Sequence, residues 1–368
     1  MSSRQRRRHA SATAVVLLGL VLSACSSSSS SSGSSAPQTS PSSSPDTVAA
    51  TTLTTDAVGT TTVPTAPTFP LTGLALTDQA AARKPALAVK IDNHLLARPQ
   101  SGLNEADIVF EENVEKLTRF AAIYHSGGSN PVGPIRSGRT QDVALLGSFN
   151  KPLFAWSGGN QRVTAAIESS DLRQLSAQQQ KVFFRANGHV GPHDLYSTTD
   201  SLFALAPANA GPPQPQFIYR GASETPSGDA TAGVNVSMDG VKAGWRWNEA
   251  KGLFLRFTDG KAHNDAVANA QVSTNNVIVL YVAYKPSPAD PNSPEAQTFG
   301  QGDAWVFTGG KSIKATWSRA DRLKPFTLHD SSGHIIALTP GRTFVELARV
   351  GMAAPVPAGT DPTKVPFP

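Results

Sequence analysis

Cysteine is almost missing from this chain: Cys25 is the only one in 368 residues. No internal disulfide can form, so a folded domain must be held by its core, and thiol nucleophiles and thiolate metal sites are excluded. Neither HExxH nor GxSxG occurs, no lysine follows a glycine-rich turn at P-loop spacing, and none of the eight histidines has a zinc-like spacing. Structural zinc is therefore not expected, and the sequence names no cofactor. Excess positive charge is also absent, although the pI of about 9.3 suggests otherwise. Residues 1 to 24 hold four of the 32 Lys and Arg and no acid; without them 28 bases face 27 acids, a net of +1. That balance gives no case for nucleic-acid binding.

What is present begins with an export signal. Arg4, Arg6, Arg7 and Arg8 form a charged n-region and Ala14 to Leu22 an apolar h-region too short to span a bilayer as a stable helix. Leu22-Ser23-Ala24-Cys25 closes it. Residues 25–70 are dominated by Ser, Thr, Pro and Ala, with two acids and no Lys or Arg. Such a stretch cannot bury enough apolar surface to offset the cost of ordering, and it reads as a flexible tether.

Folded texture starts near Pro70. Ala86 to Asp92 alternates as a strand with Asp92 at its carboxyl end, and Ser101 is placed to cap a short helix running to Asp107. Ile108 to Glu111 and Arg119 to Tyr124 read as strands about a loop centred near Glu115, which sets Glu111 opposite Arg119 as a salt bridge. A helix is expected over Ser137 to Phe149, a buried strand over Leu153 to Trp156, and a helix capped by Asn160. Residues 211–231 mark a linker. From about Ala232, short apolar runs separated by turns such as Asp239-Gly240 and Asp259-Gly260 predict β structure to residue 352, with the Pro-rich end from Ala353 loosely held. The class is α+β: a mixed α/β sheet domain over 71–210, then a smaller β-rich domain over 232–352.

Polar residues crowd the stretch Ile91 to Arg139. Arg136 and Arg139 flank Ser137 at the predicted helix start, where free N–H groups and two guanidinium forks suit a phosphate or carboxylate; both could instead pair with Asp107, Glu111 or Glu112. Ser157-Gly158-Gly159-Asn160 could present further backbone donors or simply turn the chain. Asp92, Glu111, Glu112 and His193 could do acid/base work or hold a divalent cation, and a Ser137, His193, Asp92 triad is conceivable. Asn93, Gln100 and Thr118 add neutral partners suited to a sugar or to an internal network.

The motifs IDNH, ARPQSGLNEADIVFEE, LTRFAAIY, VGPIRSGR and GPHDLY, in that order behind LSAC, resemble the YerB-like family of bacterial surface lipoproteins, described by two adjacent domains of unknown function. GWRW, LFLRF and PGRTFVEL resemble its β-rich half more loosely. The resemblance implies a lipobox, with diacylglycerol and an added acyl chain such as palmitate on Cys25, and anchoring on the extracytoplasmic face of the membrane. It places Asp92, Asn93, Arg98, Gln100, Glu111, Thr118, Arg119, Arg136, Ser137, Arg139 and His193 on characteristic positions. Asp194, where an amide is expected, and Gly138, where alanine is expected, depart from the pattern. The readings that remain are an anchored lipoprotein binding an anionic or glycan-bearing envelope ligand, an envelope hydrolase or transferase using Asp92 or Glu111 with His193, and a structural or partner-binding scaffold.

Overall fold

The computed structural model describes residues 67–221 and 223–368. The predicted export signal, Cys25 and nearly all of the predicted tether lie outside them. Its last residues do not: Phe69 is buried and packs edge-on to His125, so the packed part includes residues before Pro70.

Among the described residues one large sheet runs through both halves of the chain. In the first half, β1 (Leu87–Asp92) lies between β3 (Leu117–Tyr124), antiparallel, and β4 (Leu153–Trp156), parallel; β2 (Ile108–Val114) flanks β3, and β5 (Arg173–Ser176) flanks β4. The second half joins at β2, which pairs in parallel with Thr343–Ala348; that strand in turn pairs with Asn276–Tyr281. The fold is α+β, with strands dominating.

Both faces of the central strands are covered. On one face α1 (Thr140–Leu146) and α2 (Gln161–Glu168) bury Leu145, Leu146, Val163 and Ile167 against Phe110, Ala121, Phe154 and Trp156. On the other, Val234, Val236, Trp245, Phe254 and Phe344 pack on Val89, Ile91, Phe120 and Ala122. The alternating strand β1 is thus buried throughout, Lys90 included. Asn160 caps α2 as expected, its Oδ1 accepting from Val163 N at 2.9 Å.

Four expectations fail for local reasons. The β2–β3 turn is Glu115-Lys116, with Lys116 at φ 54, so Glu112 rather than Glu111 faces Arg119 and the register moves by one residue. No helix follows Ser101: its backbone bridges Gly133 in both directions, and Leu103 N and Asn104 N are taken by Asp265 Oδ2. The helix expected from Ser137 starts only at Thr140, because Arg136 N donates to Lys90 O and holds that stretch extended beside β1. The Pro-rich end is not loose: Ala353–Pro357 pairs with Asp229–Met238, Val356 is fully buried, and Asn235 and Ser237 side chains hold Val365 O and Pro368 O at 2.6 and 2.7 Å.

Candidate functional site

Register decides which polar residues can meet. Residues paired across a sheet share a face and neighbours along a strand alternate. Asp92, Arg119 and Glu112 are partners on the helix-covered face, whereas Ile91, Phe120 and Glu111 are partners on the other. The crowded stretch is therefore two sites separated by the sheet.

On the helix-covered face, Lys90 is fully buried and its ammonium donates to Glu112 at 2.6 Å and Asp142 at 2.7 Å. Burial, and then the neighbouring Asp142 carboxyl, raise Glu112 to about 8, so it keeps its proton at neutral pH. One cation between two carboxyls holding one proton is neutral as a group, which lets the cluster stay buried. Asp142 also accepts from Arg139 N at 2.6 Å, fixing the start of α1. Asp142 alone thus satisfies the N–H of the residue preceding α1, and Ser137 lies outside the helix.

At the carboxyl end of β1 the same face opens to solvent. Asp92 Oδ2 accepts from Arg136 Nε at 3.1 Å and meets His193 Nδ1 at 2.7 Å, and its Oδ1 takes His94 N at 3.0 Å. The His94 and His193 rings stack with centroids 4.3 Å apart. Arg119 donates to Ser137 O at 3.0 Å, while its buried Nε has no partner among the described residues. Burial, with Arg139 and Arg136 nearby, lowers Arg119 to about 10, still charged at neutral pH. Arg139 is consumed by Glu115 in a two-pronged pair at 3.0 and 2.7 Å. The predicted cradle of two arginines at a helix start does not form. Arg136 has capacity that solvent can reach: it is partly exposed, and among the described residues only its Nε is engaged. The Ser137 hydroxyl is half-buried beside the Gly158 turn and makes no side-chain bond among the described residues, so no Ser137–His193 contact completes a triad.

The opposite face is closed. Arg256 Nη2 and Nη1 donate to Glu111 at 2.6 Å and Glu346 at 3.0 Å, all three side chains without exposure. Phe120, Trp245 and Phe344 rings lie 5.4, 5.3 and 5.0 Å from the guanidinium. Burial, and then Glu111, hold Glu346 well above the usual carboxylate range, which favours its neutral form. Glu111 further accepts from Thr118 Oγ1 at 2.6 Å and Asn93 Nδ2 at 3.1 Å. Arg98 binds Asn93 Oδ1 at 3.2 Å and Asn93 O at 3.0 Å. Gln100 Nε2 donates to Asp92 O and Asn93 Oδ1, which leaves its Oε1 to accept from His263 Nε2 at 2.7 Å. That tautomer leaves His263 Nδ1 to accept from Thr258 at 2.7 Å, and burial with Arg256 beside it keeps the ring neutral.

Asn93, Gln100, Glu111 and Thr118 thus belong to a saturated interior network. With Asp92 and Glu111 on opposite faces, the pair of carboxylates flanking one substrate is lost. No cluster of three metal-ligating side chains occurs among the described residues. Sequence reading passed over Lys90, Asp142, Arg256, His263 and Glu346. The usable signal was a single charge on the apolar parity of a strand, as in LFLRF and FVEL, since an unpaired charge there is costly and implies a partner. The two departures have local reasons. Asp194 pairs with Arg185, and a Cβ on Gly138 would stand 2.6 Å from Ile167 Cδ1.

The arrangement defines an α+β chain whose two halves are joined by one buried ion network, around Arg256, with one polar corner reaching solvent. The chain belongs to the DUF3048 family: residues 71–212 match the N-terminal domain of this protein of unknown function and residues 234–345 its C-terminal domain. It is 25% identical over 289 residues to the Bacillus subtilis (strain 168) protein named "Putative lipoprotein YerB", covering 76% of this chain and 85% of that one. The crystal structure of YerB protein from Bacillus subtilis matches with a TM-score of 0.69 at 23% identity, over 78% of this chain and 99% of that chain, and shares its fold.

Proposed function

We propose that this protein is a lipoprotein acylated on Cys25, with residues 25–70 as the tether and the folded part held at the extracytoplasmic face of the membrane, where it binds an anionic envelope ligand at the carboxyl end of β1. Support for the anchor comes from LSAC ahead of a Ser/Thr/Pro-rich stretch and from the name of its Bacillus relative. The binding half rests on one observation: Arg136 is positioned by Asp92 through Nε alone, leaving both terminal nitrogens for a phosphate or carboxylate beside the Ser137 hydroxyl. The carboxyl ends of the parallel strands β1 and β4 meet there, where open sheets with helices place ligands. Calorimetric titration of the full Cys25→Ser chain with inorganic phosphate and with soluble peptidoglycan fragments tests it. Saturable binding lost in Arg136→Gln is expected; no heat with any of these probes, or equal binding by the variant, overturns it.

A second reading is favoured by the 2.7 Å contact between Asp92 and His193 Nδ1, which orients the imidazole with Nε2 unengaged by protein, as in a general base. Turnover of an envelope ester or glycan that disappears in His193→Gln while ligand binding persists would select this reading over simple binding.

A further inference from the structure

The polar corner has an apolar rim that the anion reading leaves unused. Leu95 and Leu96 directly follow His94 and are 72% and 52% exposed; Val190, whose carbonyl accepts from His193 N at 2.8 Å, is 64% exposed. The stacked His94 and His193 rings bring these three aliphatic side chains to one corner, beside the Arg136 that shares Asp92 with His193. Leu95 also walls a hollow of about 500 Å³ that runs on past Arg98, Pro99, Lys261 and Ala262. Single exposed aliphatics are ordinary on a protein surface, but three around one available guanidinium are the composition of a lipid-contacting edge.

From this we infer that the corner docks on a membrane, with Arg136 taking the headgroup phosphate of an anionic phospholipid while Leu95, Leu96 and Val190 enter the headgroup–acyl boundary. The inference rests on the anion-binding reading and adds the hydrocarbon to it. Charge fits: the acids here are paired, Asp92 with Arg136, Asp194 with Arg185 and Asp259 with Arg98, and Lys261 adds a cation to the hollow walled by Leu95. Reach fits as well. Forty-one residues separate Cys25 from Pro67, up to about 150 Å of chain at roughly 3.5 Å per residue, so an anchored molecule can turn this corner to its own membrane. A basic group beside partly inserted aliphatic side chains is how interfacial segments hold to anionic bilayers.

Vesicle flotation of the full Cys25→Ser chain tests this, with phosphatidylglycerol:phosphatidylcholine vesicles against phosphatidylcholine alone. Partitioning at least tenfold stronger to the anionic vesicles is expected, reduced at least tenfold both in Leu95→Ser/Leu96→Ser and in Arg136→Gln, with thermal unfolding of both variants unchanged within a few degrees. Wild-type partitioning by the leucine variant, or equal binding to the two vesicle types, overturns the docking. Inorganic phosphate binding that depends on Arg136 without vesicle binding overturns the lipid inference and leaves the anion reading standing. Failure of both probes overturns both.

Discussion

Replacing Arg256 by Met tests whether buried charge locks the two halves together. The side chain has no exposure, faces two carboxyls at 2.6 and 3.0 Å, and is enclosed by three aromatic rings. Burial alone would lower its pKa, yet Glu111 and Glu346 hold it above the ordinary arginine value, which marks a net favourable electrostatic environment. Methionine keeps most of the aliphatic volume and removes the charge, leaving two acids facing across the paired strands at Glu111 and Glu346 with no cation between them. Removing one partner of a buried ion pair costs about 3–5 kcal/mol. Against a total stability of about 5–15 kcal/mol this is a large share, and it corresponds to a fall of roughly 6–15 °C in the unfolding midpoint. Urea unfolding followed by tryptophan fluorescence reads it directly, since Trp245 Nε1 donates to Glu346 at 2.8 Å. Adding Glu111→Gln to the variant should recover about half of the loss, because the uncompensated charge rather than the missing contact is the main cost. A loss below about 1 kcal/mol, or no recovery in the double variant, would refute the account of Arg256 as the neutralising centre of this network.

Three further outcomes follow from the same structure. Glu112, at 4.5 in an unfolded chain and about 8 here, contributes stability that is complete below pH 4.5 and lost as pH rises to 8, at about 1.4 kcal/mol per pH unit. Glu112→Gln should remove that slope, and equal slopes for variant and wild type at pH 5, 6.5 and 8 would count against a retained proton. Gly138→Ala should cost about 1 kcal/mol through the 2.6 Å approach to Ile167 Cδ1, and Ile167→Val should relieve the cost in the double variant; additive losses would contradict the contact. Deleting residues 353–368 uncovers one edge of Asp229–Met238 and removes the buried Val356, so the truncated chain should lose about 2–4 kcal/mol in urea and gain early protease cleavage; unchanged resistance would mean that the segment is held less firmly than its pairing indicates.

Charge buried in a sheet shapes what this protein can do. Each central face carries one cation between two carboxyls, Lys90 with Glu112 and Asp142 and Arg256 with Glu111 and Glu346, and in each burial raises one of the acids, Glu112 and Glu346, towards its neutral form. Such groups stabilise little compared with a hydrophobic isostere, but they tolerate only one register, because a slip of one residue would strand every charge. Glu111 and Glu112 are neighbours on β2 and serve opposite faces, so this strand is where the register of both networks is set. The corner at Asp92 then inherits a fixed position for Arg136 and His193.

The strands β1 to β4, the helix cap at Asn160 and the hairpin-rich second half were legible in the sequence, because alternation, turn chemistry and capping are local properties of a few consecutive residues. The importance of Ile91 to Arg139 was legible too, since so many polar groups in a core-forming stretch require partners. Only the tertiary structure decided who those partners are. A one-residue difference in the turn at Glu115-Lys116 moved Glu111 from Arg119 to Arg256, 145 positions away, and sent Asp92 and Glu111 to opposite faces of the sheet. Local sequence records the period of a strand but not the parity of its pairing, and long-range ion pairs depend on that parity.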